Sequence, residues 1–164
     1  MRVRTLAFSV SLLVAPFVIM SGQYGKMPTS PDVRLEVKLE LKQAASDGNL
    51  SQVDGVVTVR NLGNEALTVQ SLSNRLAVTF AVLDSRGNVV SPIGRAKVDP
   101  KFEKKSLSPG SKLIEVFEGL KFISGTGQFG YDLRKGERYT VVAIYRPGGQ
   151  EKGICSRETT IDLR

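Results

Sequence analysis

The chain has 164 residues, an apolar fraction of 41%, a charged fraction of 24% and a formal net charge of +7. That length supports one domain with its own core, and the mild basic excess argues against a nucleic-acid partner. The sequence has no histidine and a single cysteine, Cys155, which excludes imidazole-dependent catalysis, cysteine-cage metal sites and an intrachain disulfide. We therefore predict that the protein is not an enzyme and holds no cofactor or metal.

The N-terminal segment predicts export. Arg2 and Arg4 precede an apolar run from Leu6 to Met20, which is shorter than the roughly 18–20 residues that span a bilayer. Residues 1–22 are therefore interpreted as a signal peptide or, if uncleaved, an N-terminal anchor, and residues 23–31 as a linker to a domain at 32–164. The expected location is periplasmic, cell-surface or extracellular, with membrane contact only if residues 1–22 are retained.

Alternating polarity predicts strands through the first half of this domain. Apolar and charged residues alternate over 33–42, a polar loop is expected at 46–51, and further strands are expected at 53–61, 66–72 and 76–82. Asp84 to Asn88 have the composition of a turn, which predicts a hairpin into Val89 and Val90.

The second half begins with a break in this rhythm over 93–112, which predicts a long basic loop. A strand is expected at 112–118, with an extension to Ser124 after Gly119, then a loop at 125–128 and an extended piece at 129–133. Tyr139 to Tyr145 are apolar on both pleat faces, so this strand should be central and covered on both sides. A hairpin tip at 146–153 and a closing strand at 154–163 complete the chain, with Cys155 as a buried strand thiol.

These elements predict an all-β fold, an immunoglobulin-like antiparallel β-sandwich of about seven to nine strands, with a small barrel as second choice. Two residues are expected to be structural. Gly136 would allow the positive φ of a tight turn, and Tyr139 would bond back to the chain as a tyrosine corner does.

Two sequence features bear on ligand or partner binding. Gly125-x-Gly127-x-x-Gly130 matches a dinucleotide fingerprint, but the residues before Gly136 are too few for the required helix, so a hairpin loop is favoured. The basic loop is the stronger candidate for contact with an unknown protein or an anionic envelope polymer. Its candidate partner-binding residues are Arg95, Lys97, Lys101, Phe102, Lys104 and Lys105.

The order of turn and strand residues resembles that of bacterial immunoglobulin-like domains, most of all the intracellular proteinase inhibitor (BsuPI-type) domain. The matching residues are Val57-x-Val59-x-Asn61, Phe80-x-Val82-x-Asp84-x-x-Gly87-x-x-Val90, Leu107-x-Pro109-Gly110 and Leu133-x-x-Gly136-x-x-Tyr139-x-Val141-x-Ala143. The resemblance implies a non-catalytic domain that inhibits proteases in some members, although an export signal departs from an intracellular role.

Three functions remain open from the sequence. The first is an exported, non-enzymatic immunoglobulin-like domain that acts as an interaction or cell-envelope module. The second is a protease inhibitor that presents the loop 93–110. The third is a carrier of a small apolar or anionic ligand between the two sheets.

Overall fold

A computed structural model describes residues 34–73, 77–94, 103–120, 122–124, 127–148 and 152–164, which belong to the compact unit Arg34–Arg164. The predicted signal segment 1–22 and linker 23–31 lie outside the described residues. The strands are β1 (Leu35–Asp47), β2 (Leu50–Asn61), β3 (Leu67–Gln70), β4 (Val78–Leu83), β5 (Ile93–Gly94), β6 (Lys104–Leu107), β7 (Lys112–Phe117), β8 (Phe122–Ser124), β9 (Gly127–Gly130), β10 (Leu133–Arg134), β11 (Arg138–Tyr145), β12 (Ile154–Cys155) and β13 (Thr159–Asp162). A 3-10 turn, Glu118–Leu120, separates β7 from β8. None of the described residues belongs to a helix long and apolar enough to cross a membrane.

Two antiparallel sheets form the sandwich. In the first, β2 pairs with β1 along one edge and with β7 and β10 along the other; in the second, β11 pairs with β4 on one side and with β12 and β13 on the other. Two smaller sheets, β3–β6 and β5–β9–β8, flank them. The all-β antiparallel sandwich predicted from the sequence is confirmed. The strands outnumber the expected seven to nine because short pairings of two or three residues, such as β5 and β12, add to the total.

The core forms where the apolar faces of the two sheets meet. Val57 and Val59 of β2 and Val141 of β11 are fully buried, as the two-residue period of their strands requires. Phe80 of β4 and Phe117 of β7 connect the sheets through an edge-to-face contact, with ring centroids 5.2 Å apart and an interplanar angle of 79°. The interior between the sheets is therefore occupied by close-packed side chains.

Buried tyrosine hydroxyls fasten loops to this core. The Tyr131 hydroxyl donates to the Phe80 carbonyl at 2.7 Å, and the Tyr145 hydroxyl donates to the Gln70 carbonyl at 2.7 Å. Tyr139 follows the turn at Gly136, whose φ of 77° lies in the left-handed region. The Tyr139 hydroxyl accepts a hydrogen bond from the Arg134 amide at 3.0 Å and donates to Glu137 Oε2 at 2.6 Å.

Alkaline pH is expected to weaken the fold through Tyr145. Burial raises the pKa of Tyr145 from 10.0 to about 12, because the phenolate loses hydration in the core. The contribution of the neutral Tyr145 hydroxyl to the free energy of unfolding is therefore fully present below pH 10 and is lost as the pH rises toward 12. We expect the unfolding free energies of wild type and Tyr145→Phe to differ less at pH 11 than at pH 8, as measured by urea denaturation. A difference that stays constant with pH would contradict this assignment, since lysine deprotonation affects both proteins equally.

Several predicted loops are wrong because backbone pairing continues through polar sequence. The loop at 46–51 is a two-residue turn, Gly48 and Asn49, and Ser46 pairs with Ser51 across it. The loop 93–110 is interrupted by β5 and β6, and β6 pairs with β3 over its whole length. The loop expected at 125–128 is wrong for Gly127 and Gln128, which begin β9 and pair with β8.

The predicted strands at the C-terminus also need correction. The outward residues of β11, Thr140, Val142 and Ile144, are only half-buried, so one face rather than both is covered. The closing strand is divided into β12 and β13 at Ser156, whose hydroxyl accepts from the Ala143 amide at 3.0 Å and thereby replaces a backbone partner. Cys155 is half-buried rather than buried.

The 3-10 turn carries an unusual backbone geometry. Gly119 has φ of 60° and Leu120 has φ of 51°, yet the Leu120 side chain is fully buried. The Gly119 amide donates to Asp54 Oδ1 at 2.8 Å, which holds the turn against β2. Gly55 makes room for it, because a Cβ there would lie 2.7 Å from Leu120 Cδ2.

One edge of the first sheet ends in β7. β7 pairs with β2 on one side, and within the described ranges no strand pairs with Lys112 to Val116 on the other. Ile114 and Val116 are about half exposed on the outer face. Glu115 lies on the same pleat face as the core residue Phe117. A carboxylate on the inner face of an edge strand opposes pairing with a further strand.

Candidate functional site

The two sheets finish together at one end of the sandwich. β2 ends at Asn61, which pairs with Leu35, and β11 ends at Tyr145. Side-chain contacts hold β1 alongside β13: Thr159 Oγ1 donates to the Leu39 carbonyl at 3.1 Å. This alignment brings the last residues of β2 and β11 to the same end, where their connecting turns are clustered.

Asn61 holds two of these turns in place. Its side chain is fully buried, and Nδ2 donates to the carbonyls of Glu65 at 2.7 Å and Leu107 at 2.9 Å. Oδ1 accepts from the Gly63 amide at 2.8 Å. One buried amide therefore joins the turn after β2 to the turn between β6 and β7, and every polar atom of that side chain is paired.

A second connection extends this end sideways. β3 pairs with β6, from Leu67 opposite Leu107 to Gln70 opposite Lys104. The backbone amide of Gln70 donates to the Pro147 carbonyl at 2.9 Å. The β3–β6 pair thus links the turn beside Asn61 to the hairpin between β11 and β12. Turns that are far apart in sequence form one continuous surface.

That surface is rich in positive charge. Among the described residues, seven cations and three carboxylates belong to its strand ends and turns, a net charge of +4. All seven are exposed except Arg146, which is half-buried and donates to Thr79 Oγ1 at 2.9 Å. Only Lys105 has a carboxylate partner within 4 Å among the residues with placed side chains, Glu103 at 3.7 Å. We call this surface the basic end; its cations are Arg34, Arg60, Lys104, Lys105, Lys112, Arg146 and Lys152, and its carboxylates are Glu36, Glu65 and Glu103.

The opposite end of the sandwich differs in charge balance. Its segments 84–88, 132–138 and 162–164 carry five basic and four acidic side chains, a net charge of +1. Arg138 and Asp162 form a two-point ion pair there, with Nη2 3.1 Å from Oδ2, and this contact lowers the pKa of Asp162. The carboxylate of Asp84 accepts hydrogen bonds from the side chain and the backbone amide of Asn88. These hydrogen bonds lower the pKa of Asp84. Among the described residues, the basic end therefore carries a larger net positive charge than the opposite end.

The basic end contains two of the six residues predicted to bind a partner. Lys104 and Lys105 lie on β6 and are exposed, on a strand rather than the expected loop. Arg95, Lys97, Lys101 and Phe102 lie outside the described residues. The sequence prediction missed five members of this surface, because nothing in the spacing of residues from four separate segments of the chain signals that they meet. Those five are Arg34, Arg60, Lys112, Arg146 and Lys152.

An open groove adjoins this end on the outer face of β1, β2 and β7. Its volume is about 500 Å³, and it is lined by Glu36, Lys38, Glu40, Thr58, Arg60, Gly110, Ser111 and Lys112. Arg60 and Lys112 are shared with the basic end, and the Arg60 Nε atom donates to the Gly110 carbonyl at 3.4 Å. The remaining charges alternate in sign, and Lys38 lies 3.4 Å from Glu36. The groove therefore suits a polar partner of mixed charge.

The described residues bring together no group of three or more Cys, Asp or Glu that could hold a metal ion. The glycine fingerprint has its last two glycines, Gly127 and Gly130, in strand β9, so no helix N-terminus follows them to receive a pyrophosphate. Ser51 Oγ is buried without a hydrogen-bond partner. Ser51 pairs with Leu133 on the neighbouring strand, and no hydrogen-bond partner of its hydroxyl lies among the described residues.

No protein-family model matches the sequence, and no characterised protein matches it at a significant level. Among solved structures, the chain is similar to a β-glucuronidase 2 of Bacteroides uniformis covalently bound to cyclophellitol-6-carboxylate aziridine, with 13% identity and a TM-score of 0.43. A second Bacteroides uniformis β-glucuronidase gives 12% identity and a TM-score of 0.44. Each match covers 79% of this chain and 13% of the glucuronidase chain. The structural-genomics target SoR45 is 16% identical with a TM-score of 0.39, over 79% of this chain and 86% of that one.

Proposed function

We propose that the protein is an exported, non-enzymatic immunoglobulin-like domain that acts as an interaction module of the cell envelope. The observation that carries this proposal is the basic end, which gathers exposed cations from separate strand ends and turns at one end of the sandwich. Binding residues are commonly carried by turns that a sandwich holds in place. The apolar N-terminal run supports export.

The chemistry of this surface favours an anionic partner. The electrostatic potential of cations that have no carboxylate neighbours is not cancelled locally, so it attracts an anionic partner. Such attraction raises both the rate and the selectivity of association. The absence of histidine from the sequence supports a role in binding rather than in acid–base turnover. Contacts of this kind depend on the ionic strength.

Affinity capture from a cell-envelope extract tests the proposal. The wild-type chain is compared with a basic-end variant, Lys104→Glu, Lys112→Glu and Lys152→Glu together, and with a matched control at the opposite end, Arg86→Glu, Arg134→Glu and Lys135→Glu. We expect wild type and control to recover the same specific component and the basic-end variant to lose it. Repeated recovery of nothing by the wild type, or equal recovery by all three, would overturn the proposal.

A second candidate function is protease inhibition. The observation in its favour is that strands flank the segment 95–102 on both sides: Ile93 pairs with Gly130, and Lys104 pairs with Gln70. Fixed flanks reduce the entropy lost when a loop binds an active site. Titration against a panel of proteases decides between an inhibitor, which blocks one of them stoichiometrically, and a substrate, which is cleaved without inhibition.

A further inference from the structure

We infer that the basic end docks on an anionic phospholipid surface. This inference rests on the proposed function, since it names the partner class of the same surface. Three observations carry it: where the chain enters the domain, which cations are free of carboxylates, and where an apolar side chain is exposed among them.

The chain enters the domain at the basic end. The Arg34 carbonyl accepts a hydrogen bond from the Leu62 amide at 2.6 Å, and Arg34 Nη1 donates to Asn64 Oδ1 at 2.6 Å. Residues 21–33 connect this point to the apolar run that ends at Met20. Even fully extended, those 13 residues span at most about 45 Å. A bilayer that holds the apolar run therefore lies within reach of the basic end.

The cations are placed to meet lipid phosphates. Lys104 lies on β6, which pairs with β3, and Lys112 lies on β7, which pairs with β2. Lys152 lies in the hairpin that precedes β12. All three are exposed, and none is within ion-pair distance of a carboxylate among the residues with placed side chains. Lysine side chains extend their charged groups into the headgroup region while their methylenes contact less polar atoms. Each such cation near an anionic surface favours binding about fivefold.

An exposed leucine distinguishes a bilayer from a soluble polyanion. Leu62 is 60% exposed at the start of the turn that follows β2, and its backbone amide is bonded to the Arg34 carbonyl. A soluble polyanion offers this side chain no apolar environment, whereas the boundary between headgroups and acyl chains does. An exposed apolar residue among cations is a composition that binds a membrane interface.

Vesicle binding of the full-length chain tests the inference. Sedimentation is measured with vesicles of phosphatidylcholine alone and with vesicles that contain 30% phosphatidylglycerol, at low and high salt. The N-terminal apolar run contributes equally to every variant, so binding to the neutral vesicles serves as the baseline. We expect the anionic vesicles to bind wild type at least tenfold more tightly than the neutral ones at low salt, and to lose this preference at high salt.

The two triple variants locate the surface. Lys104→Glu, Lys112→Glu and Lys152→Glu together should abolish the preference for anionic vesicles, whereas Arg86→Glu, Arg134→Glu and Lys135→Glu should retain most of it with the same change in net charge. Leu62→Ser should weaken binding to anionic vesicles without changing their salt dependence. Equal loss in both triple variants would mean that only net charge matters, and would overturn the inference.

Two further results would also overturn it. One is equal binding of wild type to neutral and anionic vesicles, because the apolar run alone would then account for association. The other is tight binding to dextran sulfate without any preference for anionic vesicles, which would assign the basic end to a soluble polyanion. In that second case the capture experiment would still succeed, so failure of the inference is distinguishable from failure of the proposed function.

Discussion

Replacement of Asn61 by alanine is expected to lower the free energy of unfolding by about 3 kcal/mol. The buried side chain makes three hydrogen bonds, to the carbonyls of Glu65 and Leu107 and from the Gly63 amide. Alanine would leave these groups without that partner in a site closed to bulk water, and it would leave a small cavity. Urea denaturation monitored by circular dichroism measures the loss.

Asn64 provides the matched control, because it lies in the same turn and its side chain accepts only an exposed hydrogen bond from Arg34. We expect Asn64→Ala to change stability by less than about 0.5 kcal/mol. Equal effects of the two substitutions would mean that Asn61 does not hold the turns together. Asn61→Asp should be destabilising as well, because a carboxylate cannot donate to the two carbonyls.

Replacement of Leu120 by alanine is expected to cost about 3 kcal/mol, near the middle of the range for a fully buried leucine. Leu120 packs over Gly55 and closes the core below the 3-10 turn, with no exposed area. Its φ of 51° adds a backbone cost that glycine does not bear. Chemical denaturation measures the change, and Ile114→Ala, on the exposed face of β7, serves as the control with a small effect.

A second substitution separates the cost of the lost side-chain packing from the cost of the positive φ at position 120. Glycine at position 120 removes the same side chain but relieves the positive φ, so Leu120→Gly should be as stable as Leu120→Ala or more stable by about 1 kcal/mol. At most positions glycine is instead less stable than alanine, because it gains more entropy on unfolding. A Leu120→Gly protein clearly less stable than Leu120→Ala would show that the left-handed geometry imposes no cost.

The sequence predicted the sandwich where polarity alternates strictly. Val37 and Leu39 of β1 are buried while Lys38 and Glu40, which alternate with them, are exposed, because successive side chains of a strand point to opposite faces. The sequence prediction failed for strands that backbone hydrogen bonds form without an alternating apolar pattern. Lys104 to Ser106 of β6 are all exposed, so no apolar pattern signals their pairing with β3.

The candidate site was predictable only in part, for a related reason. The positive charge of Lys104 and Lys105 was visible as a local cluster, but the meeting of Arg60 with Lys112 depends on how β2 and β7 pair. A hydrogen-bond register between distant segments is a tertiary property, and one sequence does not specify it locally. The same holds for Asn61, whose two carbonyl partners follow the residue by four and 46 positions.

The inward carboxylate of Glu115 bears on how this domain behaves at high concentration. A second molecule that added a strand beside β7 would bury this charge on the pleat face that carries the core residue Phe117. The carboxylate therefore opposes the pairing of β7 with an edge strand of another molecule. The domain can thus carry the apolar side chains Ile114 and Val116 on its surface and still resist edge-to-edge polymerisation into fibres.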